Sequence, residues 1–293
     1  MHRAYHALPP LTAPDGTVIN AVYGFFSMLF TVVQDIKPEY LIVSFDISKP
    51  TLRQSLYAGY HQHRPQMATD LSPQFAHVHE ALAKMHISVC EVSGFEADDV
   101  IGTIATKVQQ GKKPIETVIL TGDRDLLQLV NEKTHILMPV VGVKQTALFD
   151  EKAVEEKYGV HPRQFVDYKA LIGDASDGYP GVTGIGPKTA ANLLKQYGTF
   201  EALYEKIDTL PEKYATKLAT DAEQAALAKK LATIITDVPI SIDIDTCKWL
   251  DINTKGVRDV FVDYGFNSLE KRFAAQLKAL DEMKKGEQIG FDL

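Results

Sequence analysis

Three apolar runs in the first half of the chain are each followed by acidic residues, and this pattern constrains the fold most strongly. Buried strands have the length and the branched aliphatic residues of these runs, which lie at 40–45, 87–92 and 117–120. Segments with helical periodicity precede or separate them, at about 17–35, 72–84 and 96–109. This alternation predicts an α/β fold with a mostly parallel sheet flanked by helices. Acids that follow such strands lie in the crevice where open α/β sheets bind ligands.

A further acidic pair, Asp174 and Asp177, lies later in the chain, and together with the acids after the apolar runs it predicts a metal site. The candidate ligands are Asp46, Glu96, Asp98, Asp99, Asp123, Asp125, Asp174 and Asp177. Two carboxylates about 4 Å apart repel by roughly 4 kcal/mol at an effective dielectric constant near 20. A converging cluster therefore needs raised pKa values or bound cations, and Mg²⁺ or Mn²⁺ suits ligands that are all oxygen. For any single pair, a solvated surface or a helix cap is the simpler interpretation. Two ions about 3.5–4 Å apart can activate water and stabilise the leaving oxygen of a phosphodiester.

A basic and aromatic stretch lies between about 50 and 73. Its side chains share one face of a predicted helix, the face formed by Arg53, Tyr57, Tyr60, His61 and Arg64. Such a face suits phosphate contacts from the arginines and base stacking on the tyrosines. An amphipathic helix with its tyrosines against the core fits the same spacing, so both interpretations stay open.

A glycine-rich segment, 181–189, precedes another predicted helix. A nucleoside triphosphate loop is disfavoured because Pro187 displaces Lys188 by one position and no strand leads into the segment. Gly184 and Gly186 allow a tight turn, and the first helical turn then exposes backbone N–H groups to phosphate. We predict a helix–hairpin–helix over about 163–197, which holds a nucleic-acid backbone without reading its sequence. A plain glycine-capped helical hairpin is the alternative.

Composition excludes few classes. Hydrophobic residues make up 45% and charged residues 24% of the 293-residue chain, as in an ordinary globular protein. A net charge of −7 argues against general coating of nucleic acid, unless many acids are gathered in one metal site. Cys90 and Cys247 are far apart in sequence and form no metal-ligand pair, so we expect a reducing, cytoplasmic compartment. The stretch 17–33 is too short and polar for a membrane span, and residues 1–16 do not show the basic, apolar and cleavage-site pattern of a signal peptide.

Several of these motifs resemble the 5′→3′ exonuclease domain of bacterial DNA polymerase I, in the flap endonuclease family with its PIN-like fold. The matching stretches are 20–25, 45–46, 96–102, 121–129, 173–177 and 180–190. The resemblance implies an α/β nuclease core over 1–160, with a helical arch at about 50–73, and a helical region over 161–293. It implies metal binding by the eight acids, catalytic arch roles for Arg53, His61 and Arg64, and two Mg²⁺ ions with Mn²⁺ as an alternative. It also implies duplex binding by the hairpin residues Gly184, Gly186, Lys188 and Thr189, with K⁺ as a candidate ion there.

Three departures from the family pattern matter. The family opens with a strand ending in Ile-Asp-Gly, whose Asp binds metal, whereas residues 1–8 match the segment just after that strand. We therefore expect Met1 to be an internal methionine of a longer chain, with degeneration as the alternative, and loss of a central strand opens an edge inside the sheet. His61 stands where the family has Lys and is charged only part of the time near neutral pH. Gly178 stands where the family usually has Asn.

The sequence thus predicts a stand-alone, monomeric, structure-specific 5′ nuclease of replication and repair. Its expected substrates are DNA with 5′ flaps or nicks and RNA–DNA primer junctions. A catalytically weakened DNA-junction binder is the alternative, because the first metal-binding Asp is missing. An RNA-cleaving nuclease of the PIN type is disfavoured because those domains lack the helix–hairpin–helix. Residues 288–293 loosely resemble a sliding-clamp-binding pattern, for which a disordered tail is the simpler interpretation.

Overall fold

The computed structural model of the chain describes residues 1–47, 49–62, 66–111, 113–141 and 145–290. Its α-helices in the first half of the chain are α1 His2–Ala7, α2 Asn20–Ile36, α3 Leu52–Leu56, α4 Ser72–Lys84 and α5 Ala97–Gln110. Those in the second half are α6 Glu151–Tyr158, α7 Phe165–Ile172, α8 Pro187–Tyr197, α9 Phe200–Glu205, α10 Glu212–Thr220, α11 Ala222–Ala232, α12 Thr254–Asp263 and α13 Asn267–Gly290. The strands are β1 Ile42–Ser44, β2 Ser88–Cys90, β3 Thr117–Leu120, β4 Thr134–Val141, β5 Gln145–Phe149, β6 Gly173–Asp174 and β7 Tyr179–Pro180.

The three predicted apolar runs are strands, but they are divided between two sheets. β1 and β2 form a parallel pair, with Val43 opposite Val89. β3 pairs in parallel with β4, and β5 continues that sheet in the antiparallel direction. The predicted α/β fold is confirmed, with helices dominating after residue 150. The predicted single sheet differs, because β1 and β3 do not pair with each other in the described part of the chain.

Two large hydrophobic cores are found among the described residues, beside two smaller clusters. In one, Phe30 of α2 lies 6.0 Å from Trp249, 5.6 Å from Phe261 and 5.3 Å from Phe273, measured between ring centroids. The C-terminal helices α12 and α13 therefore pack on the N-terminal helix α2. The other core joins β3–β5 to α6–α9 and reaches Leu218 and Ala225. Both cores contain residues from either side of position 160, and the domain boundary there stays a prediction.

The basic and aromatic stretch does not form the single long helix that its spacing predicts. Helix α3 ends at Leu56 because Tyr57 is extended, with φ −144° and ψ 111°. A turn follows, and His61 has a φ of +60°, which cannot continue a right-handed helix. Tyr60 is buried in a smaller apolar cluster with Leu231 and Ala232, which agrees with the alternative interpretation that the tyrosines of this stretch pack inside the protein. Arg64 lies outside the described residues.

The segment between Asp174 and Asp177 is also not helical. It is the turn between β6 and β7, and Asp174 Oδ1 accepts the backbone N–H of Ser176 at 2.7 Å and that of Asp177 at 3.3 Å. These hydrogen bonds keep the two acids together. Among the described residues, no helix combines the length and apolar character that crossing a membrane requires.

Candidate active site

A cavity of about 530 Å³ lies at the carboxyl ends of β1 and β3, where sequence reasoning expected the ligand crevice. Six of the eight predicted metal ligands line it, namely Asp46, Glu96, Asp98, Asp123, Asp125 and Asp177. The segment that begins with α3 contributes Arg53, Tyr60 and His61 to the same wall. Ala232 and Ile234 close it from the helical region. The tertiary fold thus gathers acids that lie up to 131 residues apart in sequence, from Asp46 to Asp177.

Backbone hydrogen bonds hold the acids that follow the strands. Asp46 Oδ1 accepts the N–H of Ala97 at 2.8 Å, so the residue after β1 holds the start of α5. Asp123 Oδ1 accepts the N–H of Asp125 at 2.9 Å, in a local turn that acidic side chains favour. Glu96 caps α5 in a reciprocal arrangement with Asp99. These bonds set the backbone positions from which the carboxylates reach the cavity.

Asp98 has the most crowded carboxylate of the cavity. Its pKa is well above the ordinary value, first because of burial and then because Asp123, Asp46 and Asp125 repel its negative charge. Asp98 lies in the first turn of α5, where the helix dipole favours a negative charge, but that effect does not outweigh the repulsion. A negative charge on Asp98 is therefore unfavourable in this structure.

A buried lysine, Lys169 of α7, offsets part of that charge. Its Nζ lies 2.7 Å from Asp125 Oδ1 and also contacts Asp174 Oδ2. Burial raises the pKa of Asp125 to about 7, against the opposing effect of Lys169. Burial alone would also raise the pKa of Asp174, but hydrogen bonds from Lys169 and Ser176 lower it overall. Sequence reasoning missed Lys169, although a lysine inside the apolar run just before Gly173 was a signal.

Asp99 lies behind the cavity and forms a buried ion pair with Arg53 of the cavity wall. Arg53 Nη1 donates to Asp99 Oδ2 at 2.7 Å, and Nη2 donates to Oδ1 at 2.8 Å. Arg53 also donates to the carbonyl oxygens of Leu231 at 2.8 Å and Thr233 at 2.7 Å. This placement favours a structural role over the metal and catalytic roles expected for Asp99 and Arg53, which stay predictions.

The tyrosine and histidine of the arch segment contact the acids directly. Tyr60 Oη donates to Glu96 Oε2 at 3.1 Å. His61 stacks on Tyr60 at 3.9 Å between ring centroids, and its Nε2 lies 3.2 Å from Asp177 Oδ1. Two of the predicted arch residues therefore lie in the cavity wall, while Tyr57 is half-buried beside Tyr60, and their predicted DNA contacts stay predictions.

Another tyrosine near the acids, Tyr179 of β7, was also missed by sequence reasoning. It is 3% exposed, and in the described part of the chain its hydroxyl has no hydrogen-bond partner. Burial raises the pKa of this hydroxyl, and the nearby carboxylates of Asp125, Asp174 and Asp177 raise it further. No sequence pattern pointed to it, since an aromatic residue after a glycine usually indicates only packing.

The glycine-rich hairpin is hydrogen-bonded to Lys217 and Asp221, whereas its residues Gly186 and Lys188 are exposed. Gly184 has a φ of +74°, which an L-residue rarely adopts, and its carbonyl accepts the Lys217 ammonium at 3.0 Å. Asp221 Oδ2 accepts the N–H of Thr183 at 2.6 Å. The predicted duplex-binding residues are placed at the start of α8, with Gly186 and Lys188 exposed and Thr189 half-buried.

The donor set fits a hard divalent cation in its chemistry. All six lining acids offer carboxylate oxygens, and Asp98 and Asp125 have raised pKa values that a cation would reverse. In their present positions, however, no three His, Cys, Asp or Glu side chains of the described residues are grouped closely enough to hold one ion. The fit therefore requires carboxylates to move together, away from partners such as Lys169.

The fold and site define an α/β nuclease whose acidic cavity is accompanied by a helix–hairpin–helix region. The chain belongs to the 5′-3′ exonuclease family. Residues 1–159 match the family model described as 5′-3′ exonuclease, N-terminal resolvase-like domain, and residues 160–255 match that of the 5′-3′ exonuclease, C-terminal SAM fold. The resemblance drawn from the motifs and the predicted class of enzyme are thereby confirmed.

Individual relatives agree with this membership. DNA polymerase I of Bacillus subtilis strain 168 is 37% identical over 289 residues, which make up 98% of this chain and 33% of that protein. The chain thus spans about a third of the length of the curated relatives it matches.

Two solved structures are similar in fold. The T5 D15 protein co-crystallised with metal ions has a TM-score of 0.62 at 20% identity, covering 81% of this chain and 89% of that one. The bacteriophage T5 D15 flap endonuclease, in a pseudo-enzyme-product complex with DNA and metal ions, has a TM-score of 0.59 at 18% identity, covering 87% and 89%. At these identities the likeness shows the fold.

Proposed function

We propose that this chain is a structure-specific 5′→3′ exonuclease and flap endonuclease that hydrolyses phosphodiesters of DNA and of RNA primers with two divalent metal ions. The observation that carries the proposal is the cavity lined by six carboxylates and closed by Tyr60 and His61. Its acids lie within residues 1–255, which the two 5′-3′ exonuclease family models match. A role in replication and repair follows from such substrates.

The acids of the cavity would hold the ions, with Mg²⁺ as the expected metal and Mn²⁺ as the alternative. When bound, such ions supply an activated water and stabilise the leaving oxygen. The residues Asp98 and Asp125 would give up protons to bind them, and Lys169 would release Asp125 and Asp174. The metal ions bound by the T5 D15 protein support this proposal. K⁺ at the hairpin stays a prediction.

Two regions would contact DNA, the start of α8 and the predicted arch segment. The exposed start of α8, with Lys188 and the backbone N–H groups of its first turn, would bind the duplex backbone. The arch segment would contact the 5′ single strand, through Tyr57 and through Arg64 outside the described residues. The T5 D15 flap endonuclease bound to DNA supports this assignment. A clamp-binding tail stays a prediction, since residues 291–293 lie outside the described residues.

A cleavage assay on labelled 5′-flap, nicked and single-stranded DNA tests the proposal. We expect cutting near the flap junction with Mg²⁺ and none with EDTA. Asp123→Asn should lower the rate at least about a hundredfold, because metal ions contribute several kcal/mol to such reactions. The exposed Glu212→Gln serves as the matched control and should leave the rate unchanged.

Two other outcomes would replace the proposal. Tight binding of the flap without Mg²⁺-dependent cutting would identify a DNA-junction binder instead. Preference for RNA over DNA 5′ ends would instead favour an RNA-cleaving nuclease of the PIN type.

A further inference from the structure

The Tyr179 hydroxyl is a buried donor with no hydrogen-bond partner among the described residues. Tyr179 lies in β7, directly opposite Asp174 of β6 in the antiparallel pair. Its ring packs against Tyr60, Leu231 and Ala232, so the side chain is held by apolar contacts on several sides. A buried hydroxyl without a partner destabilises the folded state, because it has lost its hydrogen bonds to water. Phenylalanine would fill the same space without that penalty.

The surroundings of the hydroxyl are rich in acceptors that are engaged elsewhere. The carboxylates of Asp125, Asp174 and Asp177 are its charged neighbours, together with the hydroxyl of Tyr60. Lys169 contacts the first two carboxylates, and His61 contacts the third. The Tyr179 hydroxyl therefore lies near three carboxylates, and each of these carboxylates is paired with Lys169 or His61.

We propose that the Tyr179 hydroxyl donates a hydrogen bond to an oxygen ligand of a divalent cation bound by Asp125, Asp174 and Asp177. Asp125 and Asp174, which now contact Lys169, would hold the cation together with Asp177, and the Tyr179 O–H group would then have an acceptor among their oxygens. Tyr179 is in this sense a positioning residue, because hydrogen bonds from outside the ligand set orient metal ligands and raise affinity. The inference rests on the proposed function, which supplies the cation.

The test compares wild type, Tyr179→Phe and a control, Tyr204→Phe, in EDTA and in titrations with Mn²⁺. Thermal unfolding gives the stability of the metal-free proteins, and calorimetry gives the Mn²⁺ dissociation constant. We expect Tyr179→Phe to unfold at the same temperature as wild type or higher in EDTA, and to bind Mn²⁺ about tenfold more weakly. Tyr204 donates to the carbonyl of Leu218 at 3.2 Å, so its loss should lower the unfolding temperature and leave Mn²⁺ binding unchanged.

Each other result overturns the inference in a distinguishable way. Equal Mn²⁺ affinity in Tyr179→Phe and wild type overturns the role of the hydroxyl alone. A lower unfolding temperature in EDTA, as in the control, means that the hydroxyl already has a partner without metal, which also overturns it. A wild-type protein that does not bind Mn²⁺ overturns the proposed metal-dependent function and this inference together.

Discussion

Arg53 and Asp99 form a bidentate ion pair in which the side chains are 6% and 1% exposed. The pair joins the segment after β1 to the first turn of α5, and the carbonyl of Thr233 ties both to the chain that follows α11. Asp99 Oδ1 accepts the N–H of Ile235 at 2.9 Å as well, so the carboxylate binds the same connection. Three parts of the wall around the acidic cavity are thereby fixed relative to one another.

Removing either partner should destabilise the protein. We expect Arg53→Ala and Asp99→Ala each to lower the free energy of unfolding by about 3–5 kcal/mol, because each leaves a buried charge without its partner. Urea unfolding in EDTA measures this, and Lys255→Ala, from an exposed ion pair, should change it little. Loss of metal-dependent cutting by Asp99→Ala without a change in unfolding free energy would instead support the metal role expected from the motif.

Neutralising Asp98 should have opposite effects on stability and on activity. The charged form of Asp98 is disfavoured first by burial and then by repulsion from Asp123, Asp46 and Asp125, so Asp98→Asn should raise the unfolding temperature of the metal-free protein at pH 8. The same change should abolish Mg²⁺-dependent cutting, because a proposed ligand is lost. Asp259→Asn is the control, since Asp259 pairs with Lys255 at the surface. An unfolding temperature below that of wild type would contradict the repulsion.

The metal-free protein should lose stability as the pH rises from about 4 to 7. The pKa of Asp125 is about 7 in the folded state and 3.8 in its ordinary setting, so between these values only the folded state keeps the proton. The unfolded state then binds fewer protons, and the free energy of unfolding falls with rising pH until the folded carboxyl has ionised. Urea unfolding in EDTA should show this slope in wild type and a smaller one in Asp125→Asn. Equal slopes would show that Asp125 titrates normally.

The hydrogen bond from the Thr183 N–H to Asp221, which supports the glycine-rich hairpin, should affect DNA binding more than the rate of the chemical step. Asp221→Ala removes the acceptor for the Thr183 N–H and loosens the loop that presents Lys188. We expect several-fold weaker binding of flap DNA and a raised KM, with kcat nearly unchanged at saturating substrate. Lys213→Ala in α10 is the control, because its ammonium contacts the ring of Tyr214. A fall in kcat with an unchanged KM would place Asp221 in a different role.

Local features of the sequence were enough to predict the elements that carry the site. The strands β1, β2 and β3 follow from short apolar runs that helical segments precede or separate, and α5 lies in the segment predicted to be helical at about 96–109. Helix α8 begins at Pro187 for an equally local reason. The meeting of Asp46 and Asp123 in one cavity was also predictable, because each acid follows a strand of a parallel pair, although the two strands lie in different sheets.

The partner of each charged group was decided by the tertiary structure alone. Arg53 pairs with Asp99, Lys169 lies between Asp125 and Asp174, and among the described residues Tyr179 has no acceptor. Hydrophobic periodicity tells which face of an element is buried, but it does not tell which elements meet there. Ion pairs and hydrogen bonds depend on positions within about an ångström between residues far apart in the chain. Only the packed fold sets those positions.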